Sequence, residues 1–388
     1  MIHKLTLQNF KGIESAELSF ERFTVLVGPN ASGKTSVLQA LDLLSAFADP
    51  DTQRDRVIQE YGGIPALKRG NQTTLLVQAE GEWEQKPGSL RMELKPRGDG
   101  PQHALEVKGQ WGDQAFDIQE FPRHGAGAGL KFRKDDLFGE VALPPLDWNT
   151  GIFLRLEAQR LAEPSYAESV EPKIDTDGAG LASVLAQMAL NRPDDFAELL
   201  GALRAVIPQV IRVRLSLAEI KRQEAETLRI DEEPVTRHVT RTYSGHRILF
   251  DTKSGTGIPG EAASEGTLLV LGLLTVLMST PRPKLVLLDD LDRGLHPKAQ
   301  SDLVAQLRTL LERDPELQII ATSHSPYLVD HLEPREVRLS TVLPDGTIRF
   351  AALTDHPEFE RWKEAMRPGE FWSTVGERWV GERGAENS

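Results

Sequence analysis

Three observations in the sequence predict an α/β fold. An apolar run, Phe23-Thr24-Val25-Leu26-Val27, empties into a glycine-rich turn and then into Leu38, Leu41 and Leu44 at helical spacing. The last third repeats the alternation, with helix Glu265 to Thr280, strand Lys284 to Leu288, helix Pro297 to Arg313, strand Gln318 to Thr322 and a short helix from Pro326. Its strands are continuously apolar, as strands of a parallel sheet covered on both faces must be.

The N-terminal text reads as strands His3 to Leu7, Ser15 to Phe20 and Phe23 to Val27, the first two joined by the turn Asn9 to Ile13. The helix after the glycine turn ends near Phe47, where Asp49-Pro50-Asp51 stops it. Thr73 to Ala79, Ser89 to Leu94, Ala104 to Gln110 and Asp113 to Glu120 are short, turn-punctuated strands, predicting an antiparallel sheet beside the core. Phe121 to Thr150, rich in Gly and Pro, reads as a long loop leading to strand Gly151 to Leu156. Two helices follow, one from Leu181 with Asp177 as its cap, one from Asp194 to Val206. Between Gln209 and Lys253 alternation returns in several antiparallel strands with one charged face. The tail, Pro357 to Gly381, is amphipathic and aromatic.

The glycine turn is spelled Gly28-Pro29-Asn30-Ala31-Ser32-Gly33-Lys34-Thr35-Ser36 and matches G-x-x-x-x-G-K-[ST]. Glycines at 28 and 33 let successive N–H groups curl around phosphate oxygens, and the helix begun at Lys34 adds its positive end. Lys34 would reach the β- and γ-phosphates and the Thr35 hydroxyl would ligate Mg²⁺. The loop alone leaves the class of P-loop protein open.

Three further stretches complete a set. Lys284 to Asp292 is a buried strand delivering acids to its C-terminal edge: Asp289 would hold the Mg²⁺ and Asp290 would face the attacking water, unless the run is simply an acidic turn. Ser264-Glu265-Gly266-Thr267 offers a hydroxyl and free N–H groups to an anion, or is only an N-cap. Ala321 to Pro326 ends a strand in His324, which would sense the γ-phosphate, or is structural.

In this order LTLQNFKGI, GPNASGKTS, SEGT, VLLDDLDRGLHP and ATSHSPYLVD resemble the ABC-type ATPases of the RecF, SMC and OLD group, over roughly Met1 to Leu44 and Ser264 to Asp330. The resemblance implies a P-loop NTPase of ABC type, with a mixed central sheet, a flanking antiparallel β subdomain and an inserted lobe of helices and strands. Its domains would be 1–156 and 256–353 for the two parts of the ATPase head, 157–255 for the lobe and 354–388 for a helical tail. It also implies a dimer sandwiching two ATP molecules. The loop from Gly28 to Ser36 would bind ATP and Mg²⁺, and Ser264, Gly266 and Thr267 would contact the partner's γ-phosphate. Asp289 would be the Walker B acid, Asp290 the water activator, His324 the switch histidine and Leu291 to Leu295 the D-loop. Gln159, in preference to Gln78, would be the metal-facing Q-loop glutamine.

The chain departs from the family where Asp-Glu is usual and Asp289-Asp290 stands. Aspartate is one methylene shorter, and misplacing a base by about 1 Å costs on the order of a hundredfold in rate. Slow turnover is expected. Residues 325–388 are too few for the Toprim nuclease of OLD proteins, and Asp330 and Asp355 read as isolated, solvent-facing acids. A transporter subunit is disfavoured, because those spell the signature LSGGQ.

Composition bounds the partners. A net charge of −13 opposes an indiscriminate grip on nucleic acid, while the absence of cysteine and of a signal-peptide core fits the cytoplasm, and no apolar run spans a membrane. Arg212, Arg214, Arg237 and Arg241 line either a groove for DNA phosphates or a solvated face balanced by acids from Glu224 to Glu233. The aromatic tail either anchors another chain or packs on its own domain. The expected function is therefore an ATPase that dimerises on ATP and clamps DNA or licenses an effector in genome maintenance or phage defence. A scaffold restraining a separately encoded toxin or nuclease is the alternative.

Overall fold

Alternating apolar residues build the first sheet. The computed structural model describes residues 1–48, 54–96, 103–120, 151–167, 169–230 and 233–386. Ile2–Phe10 (β1) pairs antiparallel with Ile13–Ser19 (β2), burying Leu5, Leu7, Phe10, Ile13 and Leu18. Phe23–Val27 (β3), buried at every position, leads through the glycine turn to Lys34–Ala48 (α1). Two short helices that the sequence did not announce, Arg54–Glu60 (α2) and Ile64–Leu67 (α3), come next. Leu75–Trp83 (β4), Lys86–Pro96 (β5), His103–Trp111 (β6) and Gln114–Glu120 (β7) complete an antiparallel sheet of order β2-β1-β4-β5-β6-β7, the expected flanking subdomain. Val37, Leu38, Leu41, Leu44 and Phe47 of α1 are fully buried in the core this sheet shares with Leu26, Leu287 and Ile320. Each such side chain contributes roughly 1.5–3 kcal/mol before ordering entropy is subtracted. The expected stop at Asp49 to Asp51 and the loop Phe121 to Thr150 lie outside the described residues.

After Gly151–Leu154 (β8) come Ala158–Ala162 (α4), Leu181–Asn191 (α5) and Pro193–Val206 (α6). Asp177 does not cap α5. Gly180 does, at φ 89°, where a Cβ would stand 2.6 Å from the Lys173 carbonyl oxygen. Only glycine meets both demands. The Asp177 carboxylate instead accepts the Ala179 N–H and pairs with Arg160 at 2.8 Å.

The several strands expected between Gln209 and Lys253 are one long hairpin, Val210–Ile230 (β9) with Glu233–Thr252 (β10), extended by Gly255–Pro259 (β11) in the order β11-β10-β9. Charged residues interrupt the apolar alternation in the text but not the ladder, because opposite charges such as Arg237 and Glu226 stand directly across from each other.

Glu265–Leu277 (α7), Leu285–Leu288 (β12), Pro297–Arg313 (α8), Gln318–Ser323 (β13) and Pro326–Val329 (α9) follow the expected alternation. Val337–Val342 (β14) and Ile348–Ala352 (β15), which the sequence reading lacked, extend the central sheet to β15-β14-β3-β13-β12-β8. β14, β3, β13 and β12 run parallel and β15 antiparallel, so the sheet is mixed.

The tail folds as Phe359–Trp362 (α10), Pro368–Val375 (α11) and Arg378–Glu386 (α12). Trp362, Phe371, Trp372 and Trp379 are buried, and Trp362 stacks on Phe371 with ring centroids 3.8 Å apart. The tail therefore packs on its own unit, and its aromatic rings are spent there. Asp330 is not an isolated acid: its Oδ1 accepts the N–H groups of Gly369 and Glu370 at 2.9 and 3.0 Å, at the start of α11. Asp355 likewise accepts the Ala352 N–H. Phe371→Ala is expected to lower unfolding stability by about 3–5 kcal/mol. A urea melt matching that of the wild type would contradict this packing.

Contacts divide the chain into two compact units. One comprises Met1–Phe153, Pro283–Asp292 and Arg308–Ser388; the other comprises Leu154–Arg282 and Arg293–Leu307. α7 thus belongs with the helices and hairpin of the second unit. Among the described residues no helix is long and apolar enough to cross a membrane.

Candidate nucleotide site

The glycine turn leaves the C-terminal edge of β3, and its shape depends on β14. Gly28 has φ 144° and its Cα lies so close to β14 that a Cβ would meet the Ser340 carbonyl oxygen at 2.3 Å. Gly33, at φ 85°, faces Ile348 and Phe350 of β15, with 3.2–3.3 Å for an added Cβ. Ala31 also takes a positive φ, 61°. The Ser32 hydroxyl donates to the Pro29 carbonyl at 2.8 Å and lies 2.6 Å from the Ser340 hydroxyl, both side chains being buried. The result is a cradle of backbone N–H groups at the start of α1, suited to a polyphosphate.

Lys34 is buried inside the turn and donates to the carbonyls of Gly28 and Pro29 at 2.9 and 2.8 Å. Burial pushes its ammonium below the ordinary value, against the opposing pull of Asp290, Asp289, Asp292 and Glu377. Pro29, Asn30 and Ala31 are exposed at the tip of the turn, and Ser36 is half-buried on α1.

At the end of β12 the expected acids arrive together. The Thr35 hydroxyl donates to both oxygens of Asp289 at 3.0 and 3.1 Å, although 254 positions separate them. Asp290 stands at φ 58° with its Oδ1 3.9 Å from His324 Nε2, and the His324 N–H donates to Asp292 at 3.1 Å. Among the described residues no group of three or more His, Cys, Asp or Glu could hold a metal by itself. A hydroxyl and one carboxylate fit a hard cation such as Mg²⁺, which usually fills its shell with phosphate oxygens and water.

Ser264 caps α7 in the second unit. Its Oγ accepts the Thr267 N–H at 3.3 Å and lies 2.7 Å from the Thr267 hydroxyl. Gly266 packs against Gly294, whose carbonyl oxygen would stand 2.3 Å from an added Cβ, while Glu265 pairs with Arg293 at 2.7 Å. Gln159 lies exposed on α4 of the second unit. Gln78 sits in β4, donating to Glu80 and accepting from Arg91.

The four arginines considered for DNA mostly face acids. Arg237 pairs with Glu226 at 2.8 Å, Arg241 with Glu224 at 3.4 Å and Arg214 with Asp251 at 2.8 Å. Arg212 adds its charge to the field that holds the Asp251 carboxyl below the usual range, where the Arg214 hydrogen bond is the largest cause. Reading the sequence missed Ser340 and Thr322, both fully buried, which hold the turn and the acids from neighbouring strands. For Thr322 a signal existed, its place two residues before His324. Ser340 had none, lying in a strand that the apolar pattern did not reveal.

Two family descriptions match the chain. "AAA domain, putative AbiEii toxin, Type IV TA system" covers residues 158–330, and "AAA ATPase domain" covers residues 1–77. An OLD nuclease of Thermus scotoductus is 20% identical over 85% of this chain and 60% of its own length. A "DNA replication and repair protein RecF" of a Synechococcus species is 30% identical over 43% of this chain and 39% of its own. The chain therefore spans less than two thirds of either relative. A crystallised SMC head, bound there to the C-winged helix domain of ScpA, superposes with a TM-score of 0.54 at 16% identity, covering 92% of this chain and 99% of that one, which shows a shared fold. The glycine turn and the acids after β12 agree with these likenesses: the chain carries matches to AAA ATPase domains and is similar to RecF and OLD proteins.

Proposed function

We propose that the chain binds ATP with Mg²⁺, hydrolyses it slowly and dimerises on it, and that the dimer licenses a separately encoded effector or clamps DNA. The observation that carries this reading is the bond from the Thr35 hydroxyl to both Asp289 oxygens, made beside a turn whose glycines let it pack closely against β14 and β15. The kinship to proteins named for DNA replication and repair and for nuclease activity supports a role in genome maintenance or phage defence.

In this reading Lys34 and the N–H groups from Gly28 to Ser36 bind the phosphates, and Thr35 and Asp289 hold the metal. Bound Mg²⁺ supplies charge neutralisation on the phosphate oxygens. Asp290 orients a water and accepts its proton, and His324, next to it, steadies the charge that develops on the phosphoryl group. Ser264, Gly266 and Thr267 complete the site of a second copy, their α7 N-terminus presenting hydroxyls and the positive end of the helix. Dimerisation needs no fast chemistry. Of the two outputs, effector licensing is favoured, because Arg214, Arg237 and Arg241 of the hairpin are already opposed by Asp251, Glu226 and Glu224.

The test is Asp290→Asn with ATP and Mg²⁺. Turnover is expected to fall by at least about a hundredfold, and light scattering should then report a mass twice that of the monomer. A persistent monomer that still binds ATP would overturn the dimer and leave the scaffold reading, in which the chain restrains a toxin or nuclease without closing. Reversing Arg212, Arg214, Arg237 and Arg241 tests the DNA output separately. Unchanged, salt-sensitive DNA affinity in that variant would remove those residues from any DNA contact.

A further inference from the structure

We infer that Thr322 is the positioning residue that aims both acids at the end of β12, and that it is why an aspartate serves at position 290. The inference rests on the nucleotide-binding reading above but stands on geometry of its own. A hydroxyl carries one donor and can also accept. The Thr322 Oγ1 uses both capacities within two adjacent residues: it donates to Asp289 Oδ1 at 2.7 Å and accepts the Asp290 N–H at 2.8 Å. The Thr322 carbonyl then takes the Leu291 N–H at 2.9 Å. One residue of β13 thus holds three consecutive positions of the neighbouring turn. It is fully buried, so water does not compete for these bonds.

The backbone explains the rest. Asp290 adopts φ 58°, a left-handed conformation that side chains disfavour and that Asp and Asn tolerate best. Drawing the Asp290 and Leu291 N–H groups onto Thr322 turns the chain this way, and the turn sends the Asp290 carboxylate toward His324, 3.9 Å from its Nε2. Asp289 receives two hydroxyls, from Thr35 and from Thr322, and these fix the plane of its carboxylate. A metal-ligating carboxylate held by a hydrogen-bonded neighbour in this way keeps its orientation without the metal.

Thr322→Val keeps the shape of the side chain and deletes the hydroxyl, and Thr322→Ser restores it. Three readouts decide the matter. In nucleotide-free protein, amide exchange of a peptide covering Asp289 to Leu291 is expected to accelerate in Thr322→Val and to return to the wild-type rate in Thr322→Ser. Mn²⁺ affinity of the ATP complex, read by electron paramagnetic resonance, should weaken about tenfold in the valine variant, while affinity for ATP without metal stays unchanged. Turnover should fall by about ten- to a hundredfold with KM preserved, and the serine variant should recover most of both losses.

A residue that only stabilised the strand would lower the melting temperature and leave Mn²⁺ affinity and kcat where they were. That result, or equal exchange in all three proteins, would overturn the inference. If the wild type binds no ATP, the nucleotide reading fails, and amide exchange alone still decides whether Thr322 sets the turn.

Discussion

Gly28→Ala is expected to destabilise the nucleotide-binding unit by about 2–5 kcal/mol and to abolish ATP binding. The added Cβ would sit 2.3 Å from the Ser340 carbonyl oxygen and 2.5 Å from its Oγ. A flexible side chain could swing away from such a contact; a carbonyl in β14, paired to β3 through Val337↔Val25 and Leu339↔Val27, cannot. Relief would require opening the central sheet at the glycine turn. Gly346 is the control. It too has a positive φ, 81°, but nothing lies within 4 Å of an added Cβ, so Gly346→Ala carries only the backbone cost of about 1 kcal/mol. Urea unfolding and calorimetric titration with ATP measure both. Equal stability of the two variants would show that β14 does not shape the turn.

Lys34→Ala is expected to weaken ATP binding by on the order of a hundredfold, the cost of losing hydrogen bonds to a charged group. Its ammonium is held in place before any ligand is considered, by the Gly28 and Pro29 carbonyls, and its positive charge is drawn by three nearby aspartates. Lys34→Arg should rescue little, because the wide guanidinium fork does not fit a buried point between two carbonyls. ATP affinity in Lys34→Ala within twofold of the wild type would remove the turn from the nucleotide site.

Local patterns carried far in this chain. α8 falls on Pro297–Arg313 as the spacing predicts, because proline at the first helical position and an amphipathic period are both local signals. β3 and β12 were visible as apolar runs buried on both faces. β14 was hidden because Arg338 and Ser340 are buried polar residues within it, and these break the apolar pattern that marks such strands. Arg338 is accommodated by donating to the Ser19 and Arg335 carbonyls. The hairpin of β9 and β10 was read as several strands for the converse reason: its charged residues interrupt the alternation, and only their cross-strand partners make the ladder continuous.

The sequence by itself determined the glycine turn, the acids at the end of β12, His324 and the order in which they occur, because each is specified by neighbours a few positions away. Tertiary structure alone decided how those groups are held. The order β14-β3-β13-β12 brings Ser340 under the turn and Thr322 beside Asp289 and Asp290. It decided too that Asp330 caps a tail helix and that Arg214, Arg237 and Arg241 of the hairpin pair with acids. Strand neighbours in a sheet with crossover connections lie far apart along the chain, so no local pattern records which hydroxyl meets which carboxylate.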